Sequence, residues 1–135
     1  MTGVQTCALP ISAGLATLKK LKSDLSVYDH IETLGKKFEE GIEEISKKYG
    51  IGTVVNRVGG MMTLFFTDDS KIESYADVKK CNLERFKRYF SHMLKEGFNI
   101  APSQFEAVFL STKHTEEHID KFLEAFERFA KKETK

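Results

Sequence analysis

The longest amphipathic pattern in the chain runs from residue 26 or 27 to Tyr49, where apolar residues recur every three or four positions. Lysines and glutamates fill most of the remaining positions, as on the solvated face of a helix. Gly50 and Gly52 follow, and glycine accepts the left-handed conformation that ends many helices. The pattern predicts one long helix whose inward stripe is Tyr28, Ile31, Leu34, Phe38, Ile42, Ile45 and Tyr49.

Two further helices are predicted in the second half of the chain, each next to a residue that can cap it. Asn82 precedes the stretch 83–96 and Thr115 precedes the last helix, and their side-chain oxygens can accept hydrogen bonds from free helix N–H groups. Gly97 ends the first of the two, and the tail 131–135 is expected to fray. The expected inward residues are Leu83, Phe86, Phe90, Met93 and Leu94, and then Ile119, Phe122, Leu123, Phe126 and Phe129.

Two shorter stretches have weaker helical patterns. Residues 13–22 repeat leucine at intervals of three, with lysines between the leucines. Residues 72–80 predict a short helix that carries Tyr75 and Val78. No capping residue convincingly starts the first of these two helices.

Strands are predicted at residues 53–58 and 61–66, which are rich in β-branched and aromatic side chains. The intervening Gly59-Gly60 suits a two-residue primed turn, because such turns require positive φ. The second strand is apolar almost throughout, which indicates a central strand covered on both faces. One layer of helices would leave one of those faces bare, and this is a first indication of a neighbour outside the chain.

Two more strands, at residues 98–101 and 107–111, are predicted on either side of a loop that contains Pro102 and Glu106. The predicted order of elements is therefore α-α-β-β-α-α-β-β-α. By the way layers pack, this order predicts an α+β fold: a small, mostly antiparallel sheet of about four strands packed against helices.

The first eleven residues have no helical or strand periodicity, no basic segment and no apolar segment typical of a signal peptide. They resemble the translation of a sequencing adapter joined in frame to a gene, and we expect the native sequence to begin near Ser12. A natural disordered N-terminus is the alternative. The expected organisation is a non-native segment at 1–11, a helical segment at 12–50 and a small C-terminal domain at 51–135.

Charge and cysteine content limit the classes of partner and the cellular location that can be expected for the chain. The 135 residues include 21 basic and 20 acidic side chains, a net charge of +1, which argues against nucleic acid or an anionic membrane as partner. No apolar run approaches the ~20 residues needed to span a bilayer. Cys7 and Cys81 form no disulfide framework, so a cytoplasmic location is predicted.

Composition and spacing alone reveal no catalytic or metal site. His114 and His118 stand four residues apart, but no third ligand is near, and two surface histidines at a helix start are the simpler interpretation. Cys81 is predicted to be a buried apolar side chain, and Ser103 has no recognisable base. Gly59-Gly60 lacks the spacing of a phosphate-binding loop.

Glu106 is the one candidate that the pattern leaves open. It lies among Phe105, Ala107 and Val108, and a carboxylate in apolar surroundings loses hydration energy unless it is paired or used. The alternative is that strand alternation turns Glu106 outward from an edge strand.

Three stretches resemble one family. Residues 56–68 (NRVGGMMTLFFTD), residues 81–86 (CNLERF), and residues 101–107 (APSQFEA) with their continuation to 117 are similar to the C-terminal part of the glutamate-1-semialdehyde 2,1-aminomutases. That family belongs to the class-III aminotransferases of fold-type-I pyridoxal-phosphate enzymes. The last stretch is the most specific of the three. The resemblance covers about 120 residues, essentially all of the chain after the adapter-like segment.

The resemblance implies that the whole enzyme isomerises glutamate-1-semialdehyde to 5-aminolevulinate for tetrapyrrole (porphyrin) biosynthesis, with pyridoxal 5′-phosphate as electron sink. It further implies a homodimer, and a large N-terminal domain, missing here, that holds the Schiff-base lysine and the phosphate site. This chain would then hold no catalytic, cofactor or metal residue and be inactive alone. Glu106 would face the substrate, with Ser103 and Gln104 as weaker candidates for the same wall.

Three positions depart from the family pattern. Gly60 stands where the family often has serine, Met62 stands where it often has phenylalanine, and His118 occupies a position that is usually acidic. None overturns the resemblance. Two other interpretations remain: a stand-alone domain that binds a small molecule or regulates another protein, and a nucleic-acid-binding domain, which the charge balance disfavours.

Overall fold

The computed structural model describes residues 5–134, with side chains from residue 9 onward. It is an α+β fold, as predicted, with one antiparallel sheet and three long helices packed on one of its faces. The elements in chain order are α1 (Gln5–Ser23), α2 (Ser26–Tyr49), β1 (Thr53–Val58), β2 (Met61–Phe66), α3 (Tyr75–Val78), α4 (Leu83–Lys95), β3 (Val108–Phe109) and α5 (Glu116–Glu133).

The hairpin of β1 and β2 has the predicted bounds. Val58 pairs with Met61 across a two-residue turn, and Gly59 has a φ of +57°, as primed turns require. Gly60 is needed for a different reason, because a Cβ there would collide with the Ile31 side chain. The carbonyl of Gly60 accepts a 2.8 Å hydrogen bond from Leu110 N–H, which ties the turn to the chain after β3.

The sheet order is β1-β2-β3, so β2 is the central strand, as its apolar sequence predicted. Its even-numbered side chains face the helices, whereas its odd-numbered side chains form the opposite, outer face. On the helix side, α2, α4 and α5 enclose an aromatic core in which Phe66 lies 5.3 Å from Tyr89 and 5.8 Å from Phe129, ring centre to ring centre. The largest fully buried side chains are Leu34, Ile42, Met62, Phe66, Met93 and Phe126.

The caps predicted at Asn82 and Gly50 are present, whereas Thr115, the N-cap residue of α5, donates its N–H to His118 Nδ1 (3.0 Å). Asn82 Oδ1 accepts a 2.9 Å hydrogen bond from Arg85 N–H at the start of α4, and Gly50 ends α2 with a φ of +65°. Part of the predicted inward stripes also needs correction. Tyr89, which is absent from the predicted inward set of α4, is buried. Three residues expected to point inward are exposed: Tyr28, Leu83 and Leu94.

The prediction of a strand at residues 98–101 is wrong, and the sheet has three strands rather than about four. Phe98 N–H donates to Met93 O (2.9 Å), so the chain there closes the end of α4 and does not join the sheet. The strand predicted at 107–111 shrinks to Val108–Phe109, because Ser111 N–H donates to His114 Nδ1 (3.0 Å) instead of continuing the ladder.

The two ends of the described chain also differ from prediction. The helix expected to begin at residue 13 begins at Gln5, although Pro10 removes one intrahelical hydrogen bond, and its apolar side chains Leu9, Ile11, Leu15 and Leu18 are exposed. The tail expected to fray continues as helix to Glu133. Residues 1–4 and Lys135, and the side chain of Cys7, lie outside the described part. Between residues 5 and 134, no helix is long and apolar enough to cross a membrane.

Glu133 holds the end of α5 against α4. Its carboxylate accepts hydrogen bonds from Arg88 Nε (2.7 Å) and Nη2 (2.6 Å) and from Arg85 Nε (3.2 Å), and its side chain is 11% exposed. The Arg88 guanidinium, more than that of Arg85, lowers the pKa of this carboxyl, although partial burial opposes the shift.

We expect Glu133→Gln to lower the free energy of unfolding by about 1–3 kcal/mol at pH 7. A carboxyl with a lowered pKa in the folded state stabilises the fold above its unfolded-state pKa of about 4.3 and loses this effect as the pH falls through the folded value. The difference between variant and parent should therefore shrink below about pH 4. Urea unfolding at pH 7, 5 and 3, followed by circular dichroism, measures it. Glu84→Gln, which removes an exposed partner of Lys87, is the control; a constant difference at all three pH values would contradict the assignment.

Candidate functional site

The loop before β3 forms a tight turn with its own hydrogen bonds. Glu106 N–H donates to Ser103 O, and Phe105 N–H donates to Ser103 Oγ, each at 3.2 Å. Ser103 therefore has a definite local role: its hydroxyl and its carbonyl shape the turn that presents Phe105 and Glu106. This is the kind of turn that serine forms through its side chain.

Gln104 points into the protein. Its side chain is buried, and Nε2 donates a 3.2 Å hydrogen bond to Val78 O at the end of α3. The bond anchors the loop across 26 residues of sequence. Of the three residues singled out from the sequence, Gln104 is thus the one that anchors the loop to another part of the chain. The spacing of residues in the sequence does not predict Val78 as its hydrogen-bond partner.

Glu106 is exposed, and its carboxylate has no ion pair within residues 9–134. Its carbonyl oxygen lies 3.5 Å from Thr63 Oγ1 of β2. With Ser103, Glu106 borders a narrow crevice of about 20 Å³ between the loop and the strand β2. A crevice of that size holds about one water molecule, which is too little room for a substrate.

His114 and His118 cap the chain locally. His114 Nδ1 accepts from Ser111 N–H (3.0 Å), and His118 Nδ1 accepts from Thr115 N–H (3.0 Å). Both Nδ1 atoms therefore act as acceptors, which places the ring proton on Nε2 in the neutral imidazole. No group of three or more potential metal-ligating side chains is found among the described residues.

The His118 cap leads to a prediction. In a capping box the third residue of the helix is usually Glu or Gln, and a carboxylate there also complements the positive end of the helix dipole. We expect His118→Glu to raise the melting temperature by about 1–3 °C, corresponding to about 0.5 kcal/mol. Calorimetry of both proteins measures the shift. His114→Glu brings the same change of charge outside the helix and should give no rise; a rise of equal size in both variants would contradict the capping explanation.

The buried candidates for acid–base or nucleophilic chemistry are inactive in this environment. Cys81 is buried, and desolvation, reinforced by Asp69 and Asp77, raises the pKa of its thiol, so the thiol stays protonated. Burial likewise raises the pKa of the Tyr89 phenol well above its usual range. The prediction that Cys81 is a buried apolar side chain is confirmed.

Sequence reasoning did not predict the surroundings of the Glu106 loop. Phe105 is half exposed and stacks on Tyr75 of α3 with 5.5 Å between ring centres, and Lys79 lies over the Tyr75 ring. Thr63 meets the loop from β2. The alternation along β2 could have placed Thr63 on the outer face, but the position of α3 beside the loop depends on the packing of the whole chain.

Sequence comparison finds close relatives. The chain is 71% identical over 119 residues to the glutamate-1-semialdehyde 2,1-aminomutase of Clostridium perfringens (strain SM101), and 66% identical over 120 residues to that of Clostridium botulinum (strain Eklund 17B). These alignments cover 88% and 89% of the chain but only 28% of each relative. The chain thus spans somewhat more than a quarter of the length of the curated relatives that it matches. No protein-family model matches it.

Solved structures agree with the fold. An omega-transaminase from Sphaerobacter thermophilus superposes with a TM-score of 0.71 at 23% identity over 88% of this chain, which is 26% of the transaminase chain. The FumI protein of Sphingopyxis sp. MTA144, solved with PLP, superposes with a TM-score of 0.70 over 93% of this chain and 27% of its own. At such identities the likeness shows the shared fold.

The described residues do not fit pyridoxal phosphate as a resident cofactor. Imine formation requires an accessible but partly enclosed lysine amine. Every lysine from residue 19 to 132 is exposed except Lys37, which is half buried and ion-paired with Glu116 and Asp120. The starts of α3 and α4 are already capped by Ser74 and Asn82, which leaves them unavailable for a phosphate.

We therefore expect the 135-residue chain mixed with pyridoxal phosphate to show no stoichiometric imine. Borohydride reduction followed by intact-mass measurement tests this, because a reduced imine adds the cofactor mass irreversibly. Free lysine at the same concentration gives the background level. Trapping of one cofactor per chain at a single lysine would contradict the interpretation.

Proposed function

Because its matched residues belong to the glutamate-1-semialdehyde 2,1-aminomutase family, we propose that this chain is the small-domain region of an enzyme that moves the amino group of glutamate-1-semialdehyde between carbons 1 and 2. The observation that supports the proposal is the identity of 66–71% over 119–120 residues. The α+β fold, shared with transaminase structures, agrees with it. The alternative of a stand-alone regulatory or ligand-binding domain is not favoured by these comparisons.

Within that enzyme, pyridoxal phosphate would carry the exchanged amino group and supply the electron sink for the proton transfers at the neighbouring carbon. Since the described residues do not fit the cofactor, its lysine and phosphate site would come from the part of the polypeptide that the relatives have beyond the match. A homodimeric assembly and a cytoplasmic location remain proposals drawn from the family resemblance.

The proposed role of this chain is to provide one wall of the substrate site. Glu106 presents an exposed carboxylate on a turn that is held at two points, by the Ser103 hydrogen bonds and by the Gln104 anchor to Val78. A restrained carboxylate can orient a substrate amine or accept a proton from it, and preorganisation reduces the cost of that interaction. Ser103 and Gln104 act on the substrate indirectly in this proposal, by positioning Glu106.

A chimera tests the function. The aligned residues of this chain replace the matching segment of the Clostridium perfringens (strain SM101) enzyme, and formation of 5-aminolevulinate from glutamate-1-semialdehyde is measured with purified protein and pyridoxal phosphate. We expect activity within about tenfold of the parent enzyme, because roughly seven residues in ten are unchanged. The isolated chain should be inactive. A folded chimera that retains its cofactor but has no activity would overturn the proposal.

A further inference from the structure

Three apolar side chains form an exposed patch on the outer face of the sheet. Val58, Met61 and Phe109 are 75%, 44% and 67% exposed, and each belongs to a different strand. Val58 is directly opposite Met61, and Met61 is directly opposite Phe109. Side chains at directly opposed positions lie close enough to touch, so the three residues make one continuous surface, called here the outer patch.

At the end of the sheet away from the hairpin turn, the outer face is covered by other residues of this chain. There Phe65 is buried with Ile72 and Cys81, and Val54 and Val78 pack around them. The segment after β2 thus covers the half of the outer face around Phe65 and leaves the half around Met61 exposed. The remaining outward positions of β1 and β2 are Asn56 and Thr63, so none of the outward side chains on these two strands is charged.

The outer patch is continuous with the loop of the proposed substrate wall. Thr63, between Met61 and Phe65 on the outer face, places its Oγ1 3.5 Å from the carbonyl oxygen of Glu106. Beyond that point the half-exposed Phe105 and the exposed Tyr75 stack on each other. Apolar surface thus lies on two sides of the loop that carries Glu106.

We propose that the outer patch is the surface on which the rest of the aminomutase polypeptide packs, and that this contact closes the apolar surroundings of the Glu106 loop. The inference rests on the proposed function. The polypeptide that would cover the outer patch corresponds to the nearly three quarters of each relative that this chain does not match. The partner surface should be apolar and uncharged, to match the outward side chains. A second copy of this chain is a poorer occupant, since three side chains supply little of the ~800 Å² per partner that a stable interface buries.

Photo-cross-linking in the chimera tests the contact directly. Phe109→p-benzoylphenylalanine places the reactive group in the outer patch, and Leu94→p-benzoylphenylalanine, at a half-exposed site on α4, is the matched control. We expect irradiation at position 109 to give cross-links to the Clostridium perfringens portion of the enzyme, located by mass spectrometry, at least fivefold above position 94. Cross-links to the grafted segment of a second copy, or none above the control, would overturn the inference.

A charge substitution gives an independent measure. Phe109→Lys should lower the melting temperature of the chimera by at least about 5 °C, yet change that of the isolated chain by less than about 2 °C, because residue 109 is exposed when the chain is alone. Leu94→Lys should have little effect on either protein. Equal falls in the chimera and the isolated chain would assign Phe109 to local packing and overturn the inference.

The two proposals can fail separately. A chimera that forms the expected cross-links without producing 5-aminolevulinate would count against the proposed reaction and support the contact. An active chimera in which position 109 forms no cross-links above the control would leave the reaction intact and remove the contact.

Discussion

Glu106→Gln in the chimera is expected to lower kcat by about a hundredfold while leaving the cofactor bound and the melting temperature unchanged. Glutamine keeps the size of the side chain and removes only the negative charge and the ability to accept a proton. Glu106 is exposed and has no ion pair within the described residues, so the fold gains nothing from its charge. A loss of turnover would therefore report on chemistry at the substrate and not on stability.

The measurement combines steady-state kinetics, the absorbance of the bound cofactor and calorimetry on the same preparations. Glu73→Gln is the matched control, because Glu73 is also exposed and pairs only with the exposed Lys71. Its kinetics should equal those of the parent chimera. If Glu106→Gln has equally unchanged kinetics, Glu106 is a surface residue that strand alternation turns to solvent.

Arg57→Met is expected to lower the free energy of unfolding by about 3 kcal/mol, or the melting temperature by about 10 °C. Arg57 is 13% exposed and donates from Nε to Glu39 (2.7 Å) and from Nη1 to Gly59 O (3.0 Å). Its Nη1 also forms an ion pair with Glu32 (2.9 Å). These contacts tie the hairpin turn to α2. The Glu39 carboxylate, which forms the stronger of its ion pairs, raises the pKa of Arg57, and removing the guanidinium would leave this half-buried carboxylate unpaired.

Urea unfolding of the 135-residue chain measures the effect, with Arg57→Lys and Lys36→Met beside it. Lysine keeps the charge but lacks the fork that reaches both partners, so about half of the loss should remain. Lys36 pairs with Glu40 on an exposed helix face, and its removal should not shift the midpoint. An Arg57→Met midpoint equal to that of Lys36→Met would show that the hairpin is held by packing alone.

The long helix α2 and the hairpin of β1 and β2 were predictable because their information is local. Periods of 3.6 and 2 residues, a glycine after Tyr49 and a glycine pair between the strands specify these elements without reference to distant residues. The same holds for the Asn82 cap, which acts within three residues.

The candidate site was predictable in one respect only. The motif around residues 101–107 pointed to Glu106, and the structure places Glu106 at the surface. The spacing could not predict the different roles of its neighbours Ser103 and Gln104. Gln104 is buried and donates to Val78, 26 residues away, whereas Ser103 forms hydrogen bonds within its own turn.

Distant contacts account for the predictions that were wrong. Residues 98–101 have the composition of a strand, but the N–H of Phe98 donates to Met93 O at the end of α4. Within residues 5–134 the sheet therefore has three strands. The tail was expected to fray because it is a chain terminus. It continues as helix to Glu133, since Arg85 and Arg88 of α4 stand opposite that carboxylate.

The sequence by itself determined the α+β class, the family resemblance, the positions of the long helices and the hairpin, and the choice of Glu106 as the residue to test. Each of these depends on short-range periodicity or on a contiguous motif. Only the tertiary structure decided which groups meet. These contacts are the hydrogen bond of Gln104 to Val78, the hydrogen bonds of Arg85 and Arg88 to Glu133, and the outer patch of Val58, Met61 and Phe109. The physical reason is that strand register and helix packing bring together side chains as many as 79 residues apart, and no local pattern encodes which of them will meet.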